Sequence, residues 1–271
     1  MAEIKRELAV IAIVVGLGVG ILGGWFIPSP LSGGGTRTSL LDIIQTRGYI
    51  TIGTSADYEP FEYVNTTAIP PEIIGFDVDL CGWIADELGV TIQWSDRGFG
   101  GLIAACAAGQ VDMIAAAMTY NANRSTYLAA SSTYITVGQA VIVKNSSSLT
   151  ISSLSDLDGV NTGVQAATTL YDDLVAAGVS TITTHITVDA LMLDLIGGGI
   201  AAAYIDEPVF LAWSKTYGIK MILQTGTEEF VLWTRYGEPE LLFEINNVIL
   251  DSFLDGRMYD NLEKWLNITV S

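Results

Sequence analysis

Strand-like and helix-like stretches alternate from Tyr49 onward, and no other feature of the chain narrows its fold so far. Tyr49-Ile-Thr-Ile-Gly-Thr54 is a short β-rich run that ends in glycine and polar residues. Phe76, Leu80, Ile84 and Leu88 then recur at helical spacing, with Asp77, Asp86 and Glu87 expected to turn away from the core. Residues 91–94 read as a strand, 102–108 as a helix of small residues and 111–115 as a buried strand. This βαβαβ order predicts a parallel sheet of order 2-1-3 with right-handed crossovers. A second series has strands at 140–144, 161–165, 181–184, 201–205 and 219–223, with helices at 168–177, 188–196 and 207–217. Two helices end the chain. The first starts at Pro239 and carries Leu241, Ile245, Val248 and Phe253 on one face; Met258, Leu262 and Leu266 line the second. Two α/β sheets predict two small lobes and a cleft, with ligand at the carboxyl ends of the strands.

Composition removes several functions. Half the residues are apolar and 15% are charged, enough for a full core and too few charges for a disordered chain. A net charge of −18 argues against a nucleic-acid partner, since phosphates need a basic surface. One histidine, His185, and two cysteines, Cys81 and Cys106, exclude a His/Cys zinc cage and a Ser-His-Asp hydrolase. No phosphate loop, nucleophile elbow or metal motif occurs, so neither cofactor nor metal is expected. Gly197-Gly-Gly199 ends a helix and reads as a C-cap, and His185 reads as a surface residue. The cysteines are expected to be free, because helices after the first two strands of a 2-1-3 sheet lie on opposite faces.

The N-terminus gives a different signal. Lys5 and Arg6 precede a stretch, 8–27, with no charged residue. Twenty helical residues span about 30 Å, the thickness of a bilayer core. A cleaved signal has a shorter apolar run, and no cysteine follows that could carry a lipid. Residues 1–37 are therefore expected to be an uncleaved transmembrane anchor and a Pro/Gly/Ser tether, with cleavage the second choice. Lys5 and Arg6 held inside would put the remainder on the extracytoplasmic side of the cell membrane. Sequons at Asn65, Asn145 and Asn267 permit glycosylation there.

Four places at predicted strand ends could meet a ligand. Tyr58 offers either a flat apolar wall or a cap on the core. Arg124 is one of nine basic residues in 38–271, against 28 acidic ones. It suits a two-pronged grip on a carboxylate, or else an ordinary surface ion pair. Thr168 and Thr169 stand at a helix start, where exposed N–H groups favour an anion; plain N-capping needs only one of them. Asp206 serves either as the N-cap before Pro208 or as a carboxylate facing an ammonium. A cation in one lobe and an acid in the other fit the two ends of an α-amino acid.

Several blocks, in order, resemble the polar amino-acid-binding proteins of ABC importers, whose fold is the two-lobed type II periplasmic-binding-protein (Venus flytrap) fold. They are Ile50-Thr-Ile-Gly-Thr54, Pro60-Phe-Glu-Tyr63, Gly75-Phe-Asp-Val-Asp-Leu80, Gly109-Gln-Val-Asp112, Met118-Thr-Tyr-Asn-Ala-Asn-Arg124, Gly163-Val-Gln-Ala-Ala-Thr-Thr169 and Ala201-Ala-Ala-Tyr-Ile-Asp206. The resemblance implies that Arg124 holds the ligand α-carboxylate, helped by Ala117, Thr119, Thr168 and Thr169. It implies that Asp206 binds the α-ammonium, that Tyr58 stacks on the ligand, and that Ser55, Phe99 and Gln165 also line the site. Ser55 stands where some members carry an acid that reads the side chain, which lowers the expectation for lysine or arginine. Ala167 replaces a usual glycine, and Asn121 and Asn123 stand in a turn that usually has Thr and an acid. The implied lobes are 38–136 plus 233–271, and 137–232, joined by two crossing strands. The implied role is capture of an L-α-amino acid by hinge closure and delivery to a permease and ATPase complex. A dehydratase on the same fold would need a general acid, for which Glu62 and Glu207 are the candidates. A sensor ectodomain is the third reading, disfavoured by the few residues before the anchor.

Overall fold

A computed structural model describes residues 38–268. The anchor and tether expected at 1–37 lie outside the described residues. Among the described residues, no helix is long and apolar enough to cross a membrane.

The chain enters through α1 (Leu40–Arg47), where Ser39 and Asp42 form a reciprocal capping box and Gly48 closes the helix in the left-handed region. It then runs through β1 (Tyr49–Thr54), β2 (Asp57–Tyr58), β3 (Glu62–Asn65), β4 (Glu72–Ile74), α2 (Phe76–Leu88), β5 (Thr91–Asp96), α3 (Leu102–Ala107), β6 (Met113–Ile114) and β7 (Leu128–Ala130). The second stretch has β8 (Ile135–Lys144), β9 (Thr162–Gln165), α4 (Thr169–Ala176), β10 (Ile182–His185), α5 (Val188–Gly197), β11 (Ala202–Asp206), α6 (Glu207–Ser214) and β12 (Ile219–Phe230). It ends in β13 (Trp233–Arg235), α7 (Pro239–Leu254) and α8 (Arg257–Leu266).

One five-stranded sheet has the order β5-β1-β6-β13-β7, and its first three strands are the parallel 2-1-3 core expected from the sequence. The chain returns late to add β13 antiparallel to β6, with β7 beyond it. The second sheet has the order β10-β9-β11-β8-β12. Its β8 and β12 pair antiparallel from Ile219–Lys144 to Phe230–Ile135, well beyond the short strands expected at 140–144 and 219–223. Their far ends reach the first sheet, where Tyr120 N–H donates to Glu229 O at 2.8 Å and Val231 N–H to Met118 O at 3.2 Å. This pair ties together the two halves of a two-lobed α/β fold. A third sheet, β2-β3-β4, was not foreseen.

Cys81 and Cys106 are free and buried, in separate hydrophobic clusters of α2 and α3. Each behaves as a small apolar side chain. Two expectations need correction. Asp77 does not face solvent: it is fully buried, and its carboxylate accepts the Ala117 N–H at 2.9 Å and the Tyr134 hydroxyl at 2.8 Å. Helical spacing cannot reveal this, because the partners lie 40 and 57 residues away. His185 is half-buried, with Nε2 2.9 Å from Asp194.

Candidate ligand-binding site

The carboxyl ends of β1, β6, β9 and β11 converge on one pocket. All ten residues singled out from the sequence line it: Ser55, Tyr58, Phe99, Ala117, Thr119, Arg124, Gln165, Thr168, Thr169 and Asp206. So do Asp57, Glu62 and Glu228.

Arg124 is only 4% exposed and makes no ion pair among the described residues, which sets aside the surface-bridge reading. Its guanidinium donates to Thr119 O at 2.7 Å and to Ala167 O at 3.3 Å, and lies over the Phe99 ring. Five N–H donors in a rigid fork against two backbone acceptors leave capacity for a carboxylate. Asp206 occupies the N-cap position of α6, yet its side chain caps nothing. One oxygen accepts the Tyr58 hydroxyl; the other is buried without a partner among the described residues. Burial and the nearby Glu228 push its carboxyl well above the usual range, as a carboxylate short of a cationic partner should be.

The two threonines divide their labour. Thr168 is the N-cap of α4, accepting Tyr171 N–H and donating to Gln165 O. Thr169 donates its hydroxyl to Glu228, as Thr119 does from the other side. A hydroxyl has one proton, so both threonines are already spent on Glu228. Ala117 likewise gives its N–H to Asp77. Arg124 is therefore the charged grip on an anion, with the first-turn N–H groups of α4 beside it. Sequence reasoning missed Glu228, which lies on the polar far end of β12. Glu62 reaches the pocket, whereas Glu207 does not line it and accepts Gln224 Nε2 at 2.9 Å.

The halves touch across the pocket. Tyr58 and Asp57 come from the first half; Asp206 and the α5 N-terminus, whose Val188 N–H donates to Asp57, come from the second.

The profile of the bacterial extracellular solute-binding proteins, family 3, matches residues 50–268. The L-cystine-binding protein TcyA of Bacillus subtilis is 25% identical over 84% of this chain and 85% of its own length. A crystal structure of a mutant of ArgBP from T. maritima superposes with a TM-score of 0.80 at 29% identity, over 84% of this chain and 99% of that one. An ancestral amino-acid-binding protein, a precursor of cyclohexadienyl dehydratase, superposes with a TM-score of 0.79 at 30% identity, over 84% and 100%. These relatives are binding proteins, not enzymes, in keeping with a role in solute binding. By the extent of the profile match and by its two-lobed architecture, the chain belongs to family 3 of the bacterial extracellular solute-binding proteins.

Proposed function

We propose that the protein captures an L-α-amino acid between its two lobes and hands it to the permease of an ABC importer. One observation carries this reading: a buried cation with open donors, Arg124, in the turn between β6 and β7, and a buried acid with an oxygen unpartnered among the described residues, Asp206, at the end of β11, line one pocket. A molecule with both a carboxylate and an ammonium completes both. Relatives named for binding amino acids support it. Residues 38–136 with 233–271, and 137–232, act as the moving units, with β8 and β12 as the hinge. Ligand held by one unit favours closure only through added contacts with the other, here Tyr58–Asp206 and Asp57–Val188.

The test is a thermal-shift screen of the full-length protein against the twenty amino acids. A true ligand at 100 times its Kd stabilises by about 2.7 kcal/mol and raises the melting temperature by several degrees. No shift with any amino acid would remove the proposal.

Residues 8–27 anchor this receptor beside its permease, on the extracytoplasmic side of the cell membrane. The support is the length of the uncharged run and the lack of a lipid-carrying cysteine after it. Full-length protein should stay with the membrane pellet through high salt and carbonate; release by either wash would show that the segment does not span.

A further inference from the structure

We propose that Glu228 is a placeholder for the ligand's carboxylate: it holds Thr119 and Thr169, one from each half, and releases them when an amino acid binds Arg124. This rests on the amino-acid reading above and adds a residue that sets affinity for every ligand of that class.

Glu228 sits where the parts of the site meet. It is 7% exposed and lies on β12, opposite Val137 of β8. One of its oxygens accepts the Thr119 hydroxyl, from the turn after β6. The other accepts the Thr169 hydroxyl, from the start of α4. A single carboxylate thus spans the cleft. Arg124 completes the surround: it donates to Thr119 O at 2.7 Å and feels the charge of Glu228, yet makes no ion pair with it. Two hydroxyls and a guanidinium around one place make a carboxylate site. The chain's own carboxylate takes the hydroxyls and leaves the guanidinium open.

A ligand carboxylate drawn to Arg124 meets a like charge beside the donors it could use, and two anions crowded into one buried place repel. The ligand stays because the arginine fork pairs with it and not with Glu228. Glu228 has a place to go. The wall it forms with Thr119 and Thr169 also bounds a second groove, lined by Tyr120, Gln139, Asp173, Thr225 and Thr227. Tyr120 and Thr227 are exposed there, so a carboxylate turned that way meets water. The register of β12 on β8 slips between Gln224 and Thr227, immediately before Glu228. Irregularities of this kind re-aim a side chain.

The exchange serves both ends of the ligand. The threonine hydroxyls turn from Glu228 to the incoming carboxylate, so the bridge between the halves is kept and only its anion changes. At the other end, burial and then the charge of Glu228 push the Asp206 carboxyl well above the usual range. Moving Glu228 away eases ionisation of Asp206, which then meets the α-ammonium as a carboxylate.

The test sets the full-length wild type in detergent against Glu228→Gln. Glutamine keeps the length and drops the charge. Its one oxygen accepts one hydroxyl and its amide nitrogen donates, so at least one threonine proton is released. In a thermal-shift screen of the twenty amino acids, those that shift the wild type should shift the variant further. Calorimetry with the strongest of them should show about tenfold tighter binding to the variant, the worth of one hydrogen bond to a charged group. Its α-carboxamide should gain much less, since it brings no charge for Glu228 to repel. No gain, a gain shared equally by acid and amide, or a loss overturns the proposal; a loss is the result expected of a Glu228 that binds the ammonium. If Glu228→Gln does not fold, a crystal structure of the wild type with that amino acid decides. Both threonine hydroxyls should then meet the ligand carboxylate, with Glu228 turned to the second groove. A Glu228 that still accepts both hydroxyls overturns the proposal. Binding to the wild type with no gain on the variant sinks only this inference; no shift in either protein sinks the wider function with it.

Discussion

Arg124→Ala should weaken every amino acid the protein takes by about 2–5 kcal/mol, the usual cost of leaving a desolvated charge without its partner. The guanidinium is buried against the Phe99 ring and meets only two carbonyls, so a ligand carboxylate has the remaining donors to itself. No second cation lines the pocket to replace it. Thr119 and Thr169 have given their hydroxyl protons to Glu228, and Ala117 has given its N–H to Asp77. With the arginine gone, Glu228 would face the ligand carboxylate as a like charge. The decisive measurement is a two-by-two calorimetric set: wild type and Arg124→Ala, each with an amino acid and its α-carboxamide. The carboxamide should lose affinity on the wild type and lose hardly any more on the variant. If the two changes add independently, Arg124 does not grip the carboxylate and the site is wrongly oriented. Asp206→Asn should cost less than Arg124→Ala, because the amide oxygen still accepts from an ammonium.

The parallel core of the first sheet was legible because β1, α2 and β5 each have a period that survives burial, and β6 lies inside the apolar run 111–115. The sequence did not carry β2, β7 or β13, which at two or three residues have no period to detect. The far half of β12 was missed for another reason. Gln224 to Glu229 is almost wholly polar, and only pairing with β8 makes it a strand. Glu228 was lost along with that segment. Asp77 was misplaced because helical periodicity sorts faces and cannot see a partner on a distant loop. The site itself was more legible than the fold. Strand ends followed by rare residue types, a lone arginine and an acid before a proline, marked Tyr58, Arg124, the threonine pair and Asp206. The family resemblance added Ser55, Phe99, Ala117, Thr119 and Gln165. What neither could supply was how the polar groups share their hydrogen bonds: Thr168 caps while Thr169 binds Glu228, and Asp206 sits at a cap position without capping.

Gly75→Ala should be the most damaging small substitution for stability. Gly75 precedes α2 at φ 142° and ψ −178°, a region that is essentially glycine's alone. A Cβ placed there would stand 2.1 Å from Phe61 O and 2.5 Å from its carbonyl carbon. The obstacle is backbone, which cannot swing aside. The same close approach lets Phe76 N–H reach Pro60 O and Asp77 N–H reach Phe61 O, each at 3.0 Å. Strain of about 1–3 kcal/mol and overpacking of about 1–3 kcal/mol add to roughly 2–6 kcal/mol. At about 2–4 °C per kcal/mol for a domain of this size, the melting temperature should fall by roughly 5–20 °C. Gly82, inside the same helix with open space around its Cα, is the control. There alanine should be neutral or stabilising by up to about 1 kcal/mol, through helix propensity. The damage should also reach the pocket, because pushing the start of α2 outward moves Asp77 off the Ala117 N–H. Ala117 is held at φ 44°, a conformation an alanine keeps only under constraint. A Gly75→Ala protein that melts within about 2 °C of wild type would show that the hairpin can yield, and that this glycine does not fix the site.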